Sequence, residues 1–145
     1  MSYQHVLFAA DFSDDALRVG ERAKDVARCC KARLSLLHVV EDATISLGVG
    51  YELLPVLPDV PDEALLGQAR ERLGELAQRL NVEDSEKWVV QALSTKECLF
   101  GAAREHGVDL IVVGSHGRHG LALLLGSTAN AVLHGAFCDV LAVRI

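Results

Sequence analysis

The chain has no apolar run near the ~18 residues needed to cross a bilayer, although half of its residues are hydrophobic. A membrane-spanning role is therefore not expected. It also lacks a basic surplus. Fourteen lysines and arginines stand against 20 acidic residues, a formal charge of −6. General nucleic-acid binders meet phosphates with an excess of positive charge, so that class is set aside, although a local basic spot is compatible with an acidic whole. The opening MSYQHVLFAADF shows neither a basic start nor a small-residue cleavage pattern, so a cytoplasmic location is expected rather than secretion. Cysteine is scarce. Cys29, Cys30, Cys98 and Cys138 form no CxxC spacing, and the expectation is small core or boundary residues in a reducing cytosol. A mixed Cys/His metal site is the lesser alternative. There is no internal repeat and no low-complexity segment.

What is present is alternation. A length of 145 residues suits one domain, 1–145, large enough to bury a core without disulfides. Apolar runs lie at 5–10 (HVLFAA), 33–40 (RLSLLHVV), 87–93 (KWVVQAL), 109–114 (DLIVVG) and 139–145 (DVLAVRI). They are rich in Val, Ile and Leu, as strands of a parallel sheet covered on both faces are. Helical periods fill the gaps. Leu17, Gly20, Ala23, Ala27 and Cys30 form one stripe, preceded by the capping candidates Asp11, Ser13 and Asp14. The second helix spans about 62–81, with Leu65, Leu66, Ala69, Leu73, Leu76, Ala77 and Leu80 inward and Arg70, Glu71, Arg72, Glu75 and Arg79 solvated. The third runs from about Thr95 to His106 and closes on Gly107. The fourth opens at Ser127 or Thr128 and carries Ala129, Val132, Leu133, Ala136 and Phe137. The β-α-β-α-β-α-β-α-β order predicts one α/β domain with right-handed crossovers. The 41–63 connection holds all three prolines and reads equally as a cover or as an insertion.

In an open α/β sheet, ligands bind beyond the carboxyl ends of the strands, where the strand order reverses. Three segments leave strands at that end: Asp11-Phe12-Ser13, Val39-Val40-Glu41, and GSHGRHGLALLLGST from Gly114 to Thr128. The last combines glycines, which allow close backbone approach, with the start of a helix, whose free N–H groups and dipole favour anions. Arg118 adds a cation, His116 and His119 add N–H donors, and Ser127 and Thr128 add hydroxyls. Such a set suits a phosphate tail. The plainer reading is a turn with a helix cap. His38 is expected to be a hydrogen-bonded core histidine.

VVGSHGRHGLALLLGST, with HVLFAADFS at the start and CDVLAV at the end, resembles the universal stress protein family across the whole chain. The nucleotide-binding members of that family carry Gly-x2-Gly-x9-Gly followed by Ser or Thr. Here Gly114-x2-Gly117 is followed by eight residues and then Gly126-Ser127, one residue short of that pattern. A second branch of the family lacks the glycines and does not bind ATP. The fold expected is an open, doubly wound, Rossmann-like parallel sheet of five strands, order 3-2-1-4-5, with helices on both faces. The resemblance implies ATP or another adenine nucleotide as ligand, with Mg2+ as an optional companion. It implies Asp11 near the adenosine, Val39 or Val40 offering main chain to the adenine edge, and Gly114, His116, Gly117 and Arg118 along the ribose and phosphates. Gly126, Ser127 and Thr128 would hold phosphate oxygens. It also implies a homodimer, for which the edge strand 139–145 is the expected contact.

Three functions are compatible with these residues: a nucleotide-binding protein with a sensing or regulatory role, a dimeric interaction protein that binds no nucleotide, and a slow ATP-hydrolysing enzyme. The third lacks a GxxxxGK[ST] lysine and a pair of carboxylates beside the loop. Asp11 and His116 alone support weak turnover at best.

Overall fold

The computed structural model describes residues 2–41, 63–115 and 127–145. The expected alternation is present: β1 (His5–Ala9), α1 (Ala16–Cys30), β2 (Arg33–Glu41), α2 (Glu63–Arg79), β3 (Glu86–Ala92), α3 (Thr95–His106), β4 (Leu110–Gly114), α4 (Ser127–Gly135) and β5 (Asp139–Val143). All strand pairs are parallel, and the five strands lie in the order β3-β2-β1-β4-β5.

The two faces of the sheet follow from the alternation of side chains along each strand. Val6 and Phe8 of β1, Leu36 of β2 and Val112 of β4 face α1 and α2, where they meet Val19, Ala23, Leu73 and Leu76. Leu7, Leu37, Ile111 and Val113 face the other way, onto Leu99 and Ala103 of α3 and Val132 of α4. The central strand β1 is buried on both faces, which is why HVLF has no polar alternation. Each of these large side chains contributes roughly 1.5–3 kcal/mol by leaving water. Helix α1 lies close to the sheet because residue 20 is glycine. A Cβ there would stand 2.5 Å from Leu80 Cδ1 and 2.9 Å from Phe8 Cε1.

The ends of the elements depart from the expectations in instructive ways. None of the side chains of Asp11, Ser13 or Asp14 caps α1. Its N-cap is Asp15, without a side-chain hydrogen bond, and the Asp11 carboxylate instead accepts the Ser13 N–H at 3.0 Å. A local turn has taken the oxygen that the helix was expected to use. Helix α3 behaves as expected: Ser94 Oγ accepts from the Glu97 N–H, and Gly107 closes the helix at φ 67°. Strand β5 stops at Val143, short of residue 145.

Five apolar positions assigned to the inside are exposed: Leu65, Val90, Leu93, Leu133 and Phe137. β3 and β5 are the sheet's edges, and an edge strand keeps one side in water. Leu133 and Phe137 lie at and just past the end of the short helix α4, and the Arg104 guanidinium covers the Phe137 ring at 4.9 Å. The four cysteines are free. Cys29 is exposed and the other three are half-buried, so they are boundary or surface residues rather than core. Burial pushes the thiols of Cys98 and Cys138 up from their ordinary value.

Candidate functional site

The strand order places the reversal between β1 and β4. From β1 the chain crosses through α1 to β2 on one side, and β4 flanks β1 on the other. Asp11 leaves β1 at the carboxyl end of this reversal, and Gly114 and Ser115 leave β4 beside it. This is the crevice where open α/β sheets take ligands. Ser127 and Thr128 open α4, whose first N–H groups are free by helix geometry. Thr128 is exposed. His116, Gly117, Arg118 and Gly126 lie outside the described residues, as does most of the 41–63 connection.

The residues after β1 form a tight, braced turn. The Ala10 N–H donates to Leu37 O at 2.9 Å, continuing the β1–β2 ladder by one bond. Phe12 then adopts φ 58°, a left-handed conformation uncommon for a residue with a bulky side chain. Its ring stacks on His38, with centroids 4.0 Å apart and 26° between planes. The Arg72 guanidinium lies 4.6 Å from the same ring's centroid. His38 Nδ1 is 2.6 Å from Ala10 O, and since a carbonyl only accepts, Nδ1 carries the proton. His38 is thus hydrogen-bonded as expected, but half-buried rather than core. Arg72, expected on the solvated face of its helix, reaches back to this turn. Ser13 Oγ is buried with no hydrogen-bond partner among the described residues.

Val39 and Val40 sit where β2 outlasts β1. The β1–β2 register ends at Ala9 with Leu37, while β2 continues beside β3 through Val39 with Val90, Val40 with Gln91 and Glu41 with Ala92. Past Leu37, no described strand lies on the β1 side of β2, and Val39, two residues on from Leu37, turns its main-chain groups to that side, whereas those of Val40 turn toward β3. Glu41, at the end of β2, accepts the Thr95 hydroxyl at the start of α3. On the far side Ser115, which the sequence reading passed over, binds β4 to the last strand. Its N–H donates to Val143 O at 2.8 Å, and its Oγ accepts the Ile145 N–H at 3.2 Å.

A second polar cluster, also unforeseen, lies at the opposite end of the sheet. His5 is 2% exposed. Its Nε2 is 2.8 Å from Ser35 Oγ, and its Nδ1 is 3.0 Å from both His106 O and Arg33 Nη2. Asp109 accepts the N–H groups of Gln4 and His5, and Trp88 stacks on His106 at 4.1 Å. Burial, with the nearby Arg33 charge as a smaller contributor, lowers the pKa of His5 below its ordinary value. An apolar run beginning with histidine gave no hint of these partners, which come from β2, α3 and the start of β4. No group of three or more His, Cys, Asp or Glu side chains is arranged to hold a metal among the described residues. Nor is any described helix long and apolar enough to cross a membrane.

Comparison with known proteins decides the family. A sequence model described as the Universal stress protein family matches residues 2–144. The chain belongs to the universal stress protein family. It is 45% identical to Universal stress protein A homolog 2 of Coxiella burnetii over 145 residues, covering 99% of this chain and 97% of that one. Among solved structures of the family it resembles UspA of Lactobacillus plantarum with a TM-score of 0.73 at 27% identity, covering 99% of both chains. It also resembles a universal stress protein crystallised in complex with cAMP, with a TM-score of 0.69 at 25% identity, covering 99% of this chain and 98% of the other.

Proposed function

We propose that this universal stress protein binds an adenine nucleotide, ATP foremost, in the crevice at the carboxyl end of the sheet, and that it acts as a sensing or regulatory module rather than as an efficient enzyme. What supports the reading is topology: Asp11 after β1, the end of β2 past Leu37, along which no described strand lies on the β1 side, and the start of α4 all belong to the carboxyl end of the sheet. In this arrangement Asp11 accepts hydroxyls of the ribose, the main chain at Val39 meets the adenine edge, and Gly114 begins the loop that carries His116, Gly117 and Arg118 to the phosphates. Gly126, Ser127 and Thr128 donate to phosphate oxygens at the helix start, where the dipole favours negative charge. The cAMP complex of a similar protein supports an adenine ligand for this fold. The described residues offer no carboxylate cluster for Mg2+, so that ion would be held chiefly by the phosphates, which suits its preference for phosphate and water oxygens.

The test is calorimetric titration of the protein with ATP, with and without Mg2+, beside AMP and cAMP. Saturable heat with ATP is expected. No heat and no thermal shift at millimolar concentrations of all three would leave the dimeric interaction protein as the better reading. Turnover of ATP is expected far below the ~1–100 s⁻¹ of dedicated phosphotransfer enzymes. The protein acts in the cytoplasm in this reading, as a homodimer joined through the β5 edge. Sedimentation at tens of micromolar should give twice the 15.6 kDa chain mass, and a monomer there would remove the dimer from the proposal. Val143 is unsuitable for an edge-charge test of that contact, because it is 7% exposed and belongs to the core facing α1 and α2.

A further inference from the structure

The turn after β1 is held in a conformation its sequence does not favour. An aromatic residue at φ 58° persists only where the surroundings over-determine it, and such residues gather at functional sites. For Phe12 the surroundings are three separate elements. The end of β1 supplies Ala10 O, which fixes His38 of β2 by the 2.6 Å bond from Nδ1–H. The His38 ring stacks on Phe12 at 4.0 Å, and Arg72 of α2 adds its guanidinium at 4.6 Å. On either side of Phe12 along the chain, Asp11 Oδ1 accepts the Ser13 N–H. The carboxylate is therefore aimed by a turn whose central residue is clamped from outside. If Phe12 relaxed to an ordinary negative φ, the chain on both sides of it would rotate and the Asp11 carboxylate would swing with it.

We infer that Phe12, held between His38 and Arg72, is a positioning residue that presents the Asp11 carboxylate to the nucleotide. This rests on the proposed nucleotide site and adds to it the device that aims one of its residues. It also gives α2, the helix entered from the 41–63 connection, a direct mechanical contact with the ligand end of the sheet.

The test is a double-mutant cycle read by ATP titration, with circular dichroism melts to show that each variant is folded. Phe12→Ala should weaken ATP binding about tenfold and Arg72→Ala about threefold, because the first removes the clamped ring and the second only one of its two partners. Phe12→Tyr, which keeps the stack, should bind like the parent. In an Asp11→Asn background, neither Phe12→Ala nor Arg72→Ala should cost further affinity, since both act through that carboxylate. Losses that add in full on the Asp11→Asn background would show general damage to packing and overturn the inference. So would a Phe12→Gly variant binding like the parent, because the backbone conformation alone would then suffice without the clamp. Arg72 lies on an exposed helix face, so its variant carries the test if Phe12→Ala fails to fold. A parent that binds no ATP sinks the nucleotide site and this inference together, whereas a binding parent with indifferent Phe12 and Arg72 variants sinks this inference alone.

Discussion

At the amino end of the sheet, His5, Arg33, Ser35, His106 and Asp109 bond to one another or to neighbouring main chain, and Tyr3 donates its hydroxyl to Asp139 at 3.0 Å. At the carboxyl end, Asp11 spends one oxygen on its own turn, Ser13 Oγ is buried without a partner among the described residues, and Phe12 sits in a strained conformation. Both ends are rich in polar groups, yet they use them differently. The amino end satisfies itself and fastens β1, β2, α3 and the start of β4 together. Among the described residues the carboxyl end keeps a buried hydroxyl without a partner beside a strained backbone, the combination that functional sites often show. A polar cluster is therefore read by where its bonds end, and the denser of these two is the structural one.

The contrast is sharpest at His5. His5→Ala removes a buried ring and its contacts with Ser35 Oγ, His106 O and Arg33 Nη2, leaving Ser35 Oγ without that partner. It should cost roughly 2–4 kcal/mol of folding free energy and leave ATP affinity unchanged, as urea unfolding paired with titration would show. A loss of affinity without a loss of stability would reverse the assignment of the two ends. Asp11→Ala should do the opposite. ATP binding weakens tenfold or more, about 1.5–3 kcal/mol for a lost bond to a charged group, while unfolding shifts by less than about 1 kcal/mol. An equal loss of both would make Asp11 a structural brace. Next comes Ser127→Ala combined with Thr128→Ala, expected to lower affinity about tenfold, or ~1.4 kcal/mol, with ~1 kcal/mol of stability lost with the cap. Unchanged affinity would confine these hydroxyls to capping.

The smallest effect is one of pH. The folded protein holds His5 with a pKa below the unfolded value of 6.5, so the unfolded chain binds more protons between the two values. Stability from this group is complete above about pH 6.5 and is lost as pH falls toward the folded value, with a slope of at most ~1.4 kcal/mol per pH unit. His5→Gln should flatten that part of the acid limb in urea titrations at pH 5 to 7. The same limb in parent and variant would assign the acid sensitivity to other groups.

The strand–helix alternation was legible because the fold is written in periods, apolar runs for covered strands and three-four spacing for helices, whereas the strand order came from the resemblance to the family. Periodicity does not say which strands become edges, so Val90 was read as buried, nor where a short helix stops, so Leu133 and Phe137 were as well. At the candidate site, the positions of Asp11, Val39, Val40, Gly114, Ser127 and Thr128 at one end of the sheet followed from topology alone. What was not legible depended on contacts across distant parts of the chain. Arg72 looked like one more solvated arginine because its partner, Phe12, lies on another element. His5 looked like the edge of an apolar run because Ser35 and the His106 carbonyl meet it only after folding. The turn after β1 was misread for a local reason: aspartate and serine serve helix caps and tight turns alike, and here the turn won.

The central strand has one more consequence, which concerns the order in which the protein is made. β1 is synthesised first and is buried on both faces, yet its second neighbour arrives only with Leu110, Ile111 and Val112, roughly a hundred residues later. At about 5–20 residues per second on the ribosome, one edge of this central strand waits some 5–20 s for its partner. A parallel sheet has no hairpin to shorten that wait, and such sheets are slow to close and exposed to aggregation meanwhile. The nascent chain, truncated anywhere before β4, presents Val6, Leu7 and Phe8 along an open ladder. Fragments ending in that range should be the ones that chaperones hold, and the full chain should fold only once β4 has cleared the tunnel.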